Sequence, residues 1–240
     1  MPGFARFHGL DGCRAGWFHV TLNQSASLSY GITTDLATYL AGLNAKDLVL
    51  IDIPIGLPDA GPEPRRCDQE ARRLLGAKSS SVFPPPCRAA LTAPDYPSAN
   101  QINREQTTKG LQKQTYFILP KIREADTALD RAPTCVLRES HPEVVFQSLN
   151  RNEGLGSSKK DPDGQQQRLQ ILKRYLPGIN SNYETILAAY KRKDLARDDV
   201  LDAIALAVAG KESGGSLKSL PERPDHDSRG RPMEIVYHLP

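Results

Sequence analysis

Long hydrophobic runs are missing from this chain: none approaches the roughly 18 residues of a membrane span. Residues Met1 to Phe7 hold neither a basic stretch leading into an apolar one nor a small-residue cleavage pattern. A soluble, cytoplasmic protein with no membrane partner is the expectation. Cysteine is also scarce. Cys13, Cys67, Cys87 and Cys135 lie far apart, with no CxxC pair and no histidine at a zinc-finger interval, which speaks against a structural zinc site and for buried, reduced thiols. No internal repeat or long low-complexity tract is present. Excess charge is nearly absent too: 31 Lys and Arg against 28 Asp and Glu leave +3. So small a sum argues neither for nor against nucleic acid, because the distribution of charge decides that.

With 39% hydrophobic and 25% charged residues over 240 positions, the chain suits one sizeable α/β domain with an insertion. A first strand runs to about Leu10, and Asp11 to Gly16 makes a tight glycine-containing connection. Phe18, Val20 and Leu22 then alternate with His19 and Thr21 on a second strand, and Leu28 to Thr33 supplies a third. Thr34 can cap a helix carrying Leu36, Leu40 and Leu43 at helical spacing. Leu48-Val49-Leu50-Ile51 reads as a strand buried on both faces, closed by Asp52 and stopped by Pro54, Gly56 and Pro58.

Strand signals vanish from Asp59 to about Pro133. Arg65 to Leu75 is helical with Gly76 at its C-cap, Ser98 to Leu129 is mostly helical, and Ser79 to Pro86 is extended or turned between them. A short strand from Thr134 ends at Glu139, Pro142 opens a helix, and 152–164 reads as a mobile loop. Two amphipathic helices follow, Gln165 to Tyr175 and Tyr183 to Lys193, then an almost wholly apolar helix over Val200 to Ala209. Met233 to Tyr237 closes as a short strand. The division is 1–58 for the first part of the core, 59–133 for a helical insertion or cap, and 134–240 for the remainder of the core and a tail.

Five carboxylates stand where hydrophobic segments end or begin: Asp11, Asp52, Glu139, Asp199 and Asp202. A charge beside a buried element is costly unless a partner or a metal ion compensates it. Asp11 and Asp52 can meet if the first and fourth strands are neighbours. Asp199 and Asp202, three apart on a helix, share a face.

Six segments together carry a resemblance: Gly9-Leu10-Asp11-Gly12-Cys13-Arg14-Ala15-Gly16-Trp17, Ile51-Asp52-Ile53-Pro54-Ile55-Gly56-Leu57-Pro58, Arg66-Cys67-Asp68, Ser81-Val82-Phe83-Pro84, Glu139-Ser140-His141-Pro142-Glu143 and Asp199-Val200-Leu201-Asp202-Ala203. They resemble a predicted nuclease family of otherwise unknown function with an RNase H-like fold. The last segment is also similar to the C-terminal acidic helix of RuvC-type Holliday junction resolvases. The resemblance implies an RNase H-like mixed sheet flanked by helices, with a helical insertion. It further implies Asp11, Asp52, Asp199 and Asp202 as ligands of Mg²⁺ or Mn²⁺, with Glu139 as a fifth catalytic acid. Two such ions roughly 4 Å apart activate water and neutralise charge on a phosphodiester, so no serine or cysteine nucleophile is required. Nucleic acid, DNA or RNA and possibly structured, is the implied partner, with Arg14, Arg65, Arg66, Arg88, Lys121 and His141 as its contacts.

Plainer roles compete at each position. Asp-Gly at 11–12 suits a turn, Asp199 can cap its helix, and Glu139 can pair with an insertion arginine. Arg65 and Arg66 can lie on a solvated face with Asp68 and Glu70, and His141 can fix a helix start. Trp17 reads as a packing residue. Two other functions stay open: an ATP-binding phosphotransferase-like protein of the same superfamily, which needs a second such domain, or a non-catalytic nucleic-acid-binding module.

Overall fold

The first turn of the chain depends on a backbone conformation that only glycine adopts readily. Gly16 has φ +146°, and a Cβ there would lie 2.2 Å from the Thr33 carbonyl oxygen. The connection stays tight, and β1 (Arg6–Cys13) folds back antiparallel on β2 (Gly16–Asn23), pairing from Arg6↔Asn23 to Cys13↔Gly16. In the computed structural model, which describes residues 3–239, β3 (Leu28–Thr33) extends this meander. Next comes α1 (Leu36–Ala41), whose N-cap is Asp35 rather than Thr34: its carboxylate accepts the Thr38 N–H at 3.0 Å.

β4 (Asp47–Ile51) lies parallel to β1 on the side away from β2, and β5 (Val136–Glu139) lies parallel to β4. The result is a mixed five-stranded sheet in the order β3-β2-β1-β4-β5. Between β4 and β5 come α2 (Arg66–Leu75), α3 (Tyr96–Thr107) and α4 (Lys113–Asp130), with two short 3-10 turns and no strand among the described residues. After β5 follow α5 (Pro142–Leu149), α6 (Pro162–Lys173), α7 (Ile179–Ala189) and α8 (Arg197–Ser213). The chain ends in a two-stranded hairpin of β6 (Lys218–His226) and β7 (Pro232–Tyr237), separate from the main sheet. The sequence pattern misses β6, because Pro221 and Pro224 interrupt it and charged side chains surround them.

Alternation along the strands builds a core on each face of the sheet. Phe7, Leu48 and Leu50 pack with Phe18 and Val20 against α5 and α8. Leu10, Val49, Ile51 and Trp17 pack on the opposite face with Leu36 and Leu40 of α1 and with Leu119 and Ile122 of α4. Every residue from Val200 to Gly210 of α8 is buried, because the sheet lies on one side and α5, α6 and α7 on others. All four cysteines are free and buried. Among the described residues, no helix is long and apolar enough to cross a membrane.

Gly9, in the middle of β1, sets how closely α8 approaches the sheet. A Cβ added there would come 2.0 Å from the Ala203 carbonyl oxygen and 2.5 Å from the Ala207 nitrogen. Neither backbone atom can move without displacing the helix. Gly9→Ala is therefore expected to cost about 1–3 kcal/mol as an overpacked core. Thermal unfolding followed by circular dichroism should show a Tm lowered by at least ~2 °C.

Candidate metal centre

β1 and β4 are in register at Leu10↔Ile51, and the ladder continues one step as the Asp52 N–H donates to the Leu10 carbonyl at 2.9 Å. Asp11 and Asp52 thus leave adjacent strand ends side by side. Both lie on the α8 face, since Gly9 meets α8 directly and Leu48 and Leu50 pack on that side. Asp202 of α8 precedes Ala203, the residue whose carbonyl abuts Gly9, so the helix delivers its carboxylate to the same point. One oxygen each from Asp11, Asp52 and Asp202 lies within 4.8 Å of the others. Asp11 and Asp202 are buried and Asp52 is half-buried.

Repulsion and burial together hold these acids toward their neutral forms. Burial pushes the Asp11 carboxyl well above the usual carboxylate range, and Asp52, Asp202 and Asp199 add to the shift. Asp52 is raised mainly by burial, with His141 and Lys159 opposing. Burial takes Asp202 up to about 6 against the pull of Lys159. One cation answers the cluster: Lys159 Nζ lies 2.5 Å from Asp202 Oδ2, and the acids in turn raise the lysine's pKa. Asp202 Oδ1 is buried with no hydrogen-bond partner. Hard carboxylate oxygens with one donor atom left orphaned fit Mg²⁺ or Mn²⁺, which take oxygen ligands.

Asp199 shares the helix face with Asp202 but is not one of the three converging acids. Its Oδ2 accepts the Ala196 N–H at 3.1 Å and closes the start of α8, while the side chain lines the cleft beside the cluster. Burial carries it up to about 6 despite that hydrogen bond. Glu139 lines the same cleft but is held by other partners. It accepts from Arg65 Nη1 at 2.8 Å, Arg65 Nη2 at 2.7 Å and the Ile55 N–H at 2.8 Å. Arg65 also grips Asp68 and the Gly56 carbonyl and is only 4% exposed. This buried network holds the end of β5 to the segment after β4, so Arg65 has no donor to offer a phosphate.

Arg88 and Arg66 also depart from the expected substrate contacts. Arg88 bonds Asp126 of α4 and Asp227 of the β6–β7 turn, with Asp59 at 3.7 Å. Asp227 in turn accepts the Leu57 N–H, and Arg231 reaches Asp126 and Asp130. These pairs fasten α4 to the C-terminal hairpin. Arg66 is exposed and faces Asp225 at 3.3 Å, and it does not line the cleft.

Arg14, Lys121 and His141 do line it, in a cavity of about 1080 Å³ whose floor holds Asp11 and Asp52. Lys121 Nζ sits 4.6 Å above the Trp17 ring, and Arg14 is exposed on the β1–β2 turn. His141 Nε2 lies 3.3 Å from the Ser81 carbonyl. A carbonyl only accepts, so Nε2 carries a proton toward it, and Nδ1 is left buried without a partner. The ring makes no cap bond to α5.

Sequence patterning did not find Lys159. It stands in a polar loop with no period to mark it, and its placement comes from remote contacts. Lys78 Nζ holds the Ser157 carbonyl at 2.9 Å, while buried Arg168 bonds Glu143 and the Gly164 carbonyl. Lys159→Met should remove the ammonium that competes for Asp202. Calorimetric titration of Mn²⁺ is expected to show affinity raised about tenfold, with a lower metal-free Tm because Asp202 loses its countercharge.

The raised carboxyls also fix the sign of a pH dependence. The metal-free fold holds protons that the unfolded chain releases near the ordinary aspartate pKa of about 3.9. The stability they contribute is present below that value and is lost as pH rises through about 6. In chelator, Tm should fall between about pH 5 and pH 7.5, and excess Mg²⁺ or Mn²⁺ should recover it at the upper end. Asp202→Asn should reduce both the fall and the recovery.

No curated protein and no solved structure matches the chain. The family model described as "Protein of unknown function (DUF429)" matches residues 9–226, a span that includes Asp11, Asp52, Lys159, Asp199 and Asp202 together. The chain belongs to that family.

Proposed function

We propose that this protein is a metal-dependent nuclease with an RNase H-like core, hydrolysing phosphodiester bonds in nucleic acid. The observation that carries the proposal is the meeting of Asp11, Asp52 and Asp202, from three distant parts of the chain, within 4.8 Å, with Asp11 and Asp52 lining the cleft and Asp202 buried behind them. A bound Mg²⁺ or Mn²⁺ would supply Lewis acidity toward a phosphoryl oxygen and lower the pKa of water. Asp11, Asp52 and Asp202 would hold it, and Asp199 stands one helical turn outward on α8.

The remaining groups have separable tasks. His141, with Nδ1 free of protein partners, is a base the cleft offers beside the carboxylates and can take a proton from water there. Lys159, once its hold on Asp202 is relaxed, carries a positive charge beside the reacting phosphate. Arg14, Lys121, Lys160, Arg192 and Lys193 surround the opening and can neutralise backbone phosphates, which supplies affinity without reading sequence. The convergence of three acids, with Asp202 Oδ1 lacking a protein partner, supports a cation-holding site over a surface that only binds phosphates.

The test is Asp52→Asn against a panel of single-stranded, duplex, hybrid and branched substrates in magnesium, manganese and chelator. The parent protein is expected to cleave at least one of them in the metal arms only, and the variant to lose about 10²-fold or more at an unchanged fold. Equal cleavage by parent and variant would remove Asp52 from the chemistry and end the proposal.

A further inference from the structure

Trp17, the single tryptophan, has 0% exposure beneath Lys121 and cannot meet a nucleobase. Phe117 on α4 is its opposite. At 75% exposure it is the most exposed large hydrophobic side chain among the described residues, and it lines the same cleft as Asp11 and Asp52. Lys121 lies one helical turn further along α4, so the two side chains are neighbours on one face. Lys121 also approaches Gly12, the residue after Asp11, within ordinary contact distance of where a Cβ would stand. Phe117 therefore stands one helical turn from a lysine that lies beside the strand end carrying a cluster acid. The ring of Tyr116 meets Tyr96 edge-on at 5.3 Å and stands tilted by 57° to the Phe117 ring, 6.3 Å between centroids, and Phe117 keeps its 75% exposure beside it.

The same cleft presents Arg14 from the β1–β2 turn, Lys160 from the loop before α6, and Arg192 and Lys193 from the α7–α8 connection, all exposed. An open aromatic face beside a cationic track is the combination that holds single strands: cations follow the phosphates while bases stack on the ring, whatever their identity. A paired base inside a duplex shows only its edges, since its faces are covered by its neighbours. Building on the nuclease proposal, we propose that Phe117 is a stacking platform for an unpaired nucleobase, and that the cleft takes single-stranded DNA or RNA, including a splayed strand end.

Binding can be read by fluorescence anisotropy in an Asp52→Asn background, so that strands persist. The probes are labelled oligothymidine DNA, oligouridine RNA and an abasic DNA strand, each of roughly 15 nucleotides. Phe117→Ala is expected to weaken the base-bearing strands about tenfold, to leave the abasic strand unchanged, and to be restored by Phe117→Trp. A loss confined to DNA or to RNA would also support the platform and would identify the sugar it favours. Unchanged affinity in Phe117→Ala, or an equal loss for the abasic strand, would overturn it. So would a change in sedimentation mass without any change in strand binding, which would make Phe117 a contact between copies of the chain. A background protein that binds none of the strands, from a parent that cleaves nothing, would overturn the nuclease proposal itself.

Discussion

Three carboxylates meeting in a buried corner is the constraint on which the rest of this structure depends. Each repels the others, and burial removes the water that would soften the repulsion. Among the described residues the fold accepts that cost at one point, where β1 and β4 end together and α8 passes overhead. Gly9 permits the passage by offering no side chain between strand and helix. Lys159 offsets part of the charge from a loop, and one oxygen of Asp202 is still without a partner. The metal ion we propose would offset this cost.

The surrounding ion pairs divide into those that frame the corner and those that face the cleft. Arg65 with Glu139 and Asp68, Arg168 with Glu143, and Arg88 with Asp126 and Asp227 are inward, multiply bonded and mostly dry. They tie the start of α2 to β5, α6 to α5, and α4 to the C-terminal hairpin. Removing one partner from such a pair strands the other charge, so their contribution is to position elements. Arg14, Lys160, Arg192 and Lys193 have no such inward partners, and their exposure leaves them available to phosphate. The strand we propose as substrate would thus meet exposed cations set among paired ones.

Much of the frame was legible before any coordinates. The alternation of Phe18, Val20 and Leu22 marks β2, the unbroken apolar run before Asp52 marks β4, and the continuous apolar helix before Gly210 marks α8. Asp11, Asp52 and Asp202 stand out because an acid beside such segments needs a reason. Glu139 stands out for the same cause, yet its reason is Arg65, seventy-four residues away in sequence. Arg65 and Arg88 read as phosphate contacts because local spacing shows a cluster of positive charge; it shows Asp68 beside Arg65, but not which arginine meets Glu139 nor that Asp126 and Asp227 face Arg88. Asp227, which receives Arg88, lies in a turn at the far end of the chain.

The amino-acid order by itself determined which segments become buried strands and helices, and which acids stand at their ends, because periodicity and punctuation are local properties. Only the tertiary structure decided which of those acids share a corner, which cations are occupied, and that Lys159 and Phe117 belong to the cleft. Those outcomes turn on strand adjacency and on the closeness of α8 to β1, and both are set by packing between residues far apart in the chain.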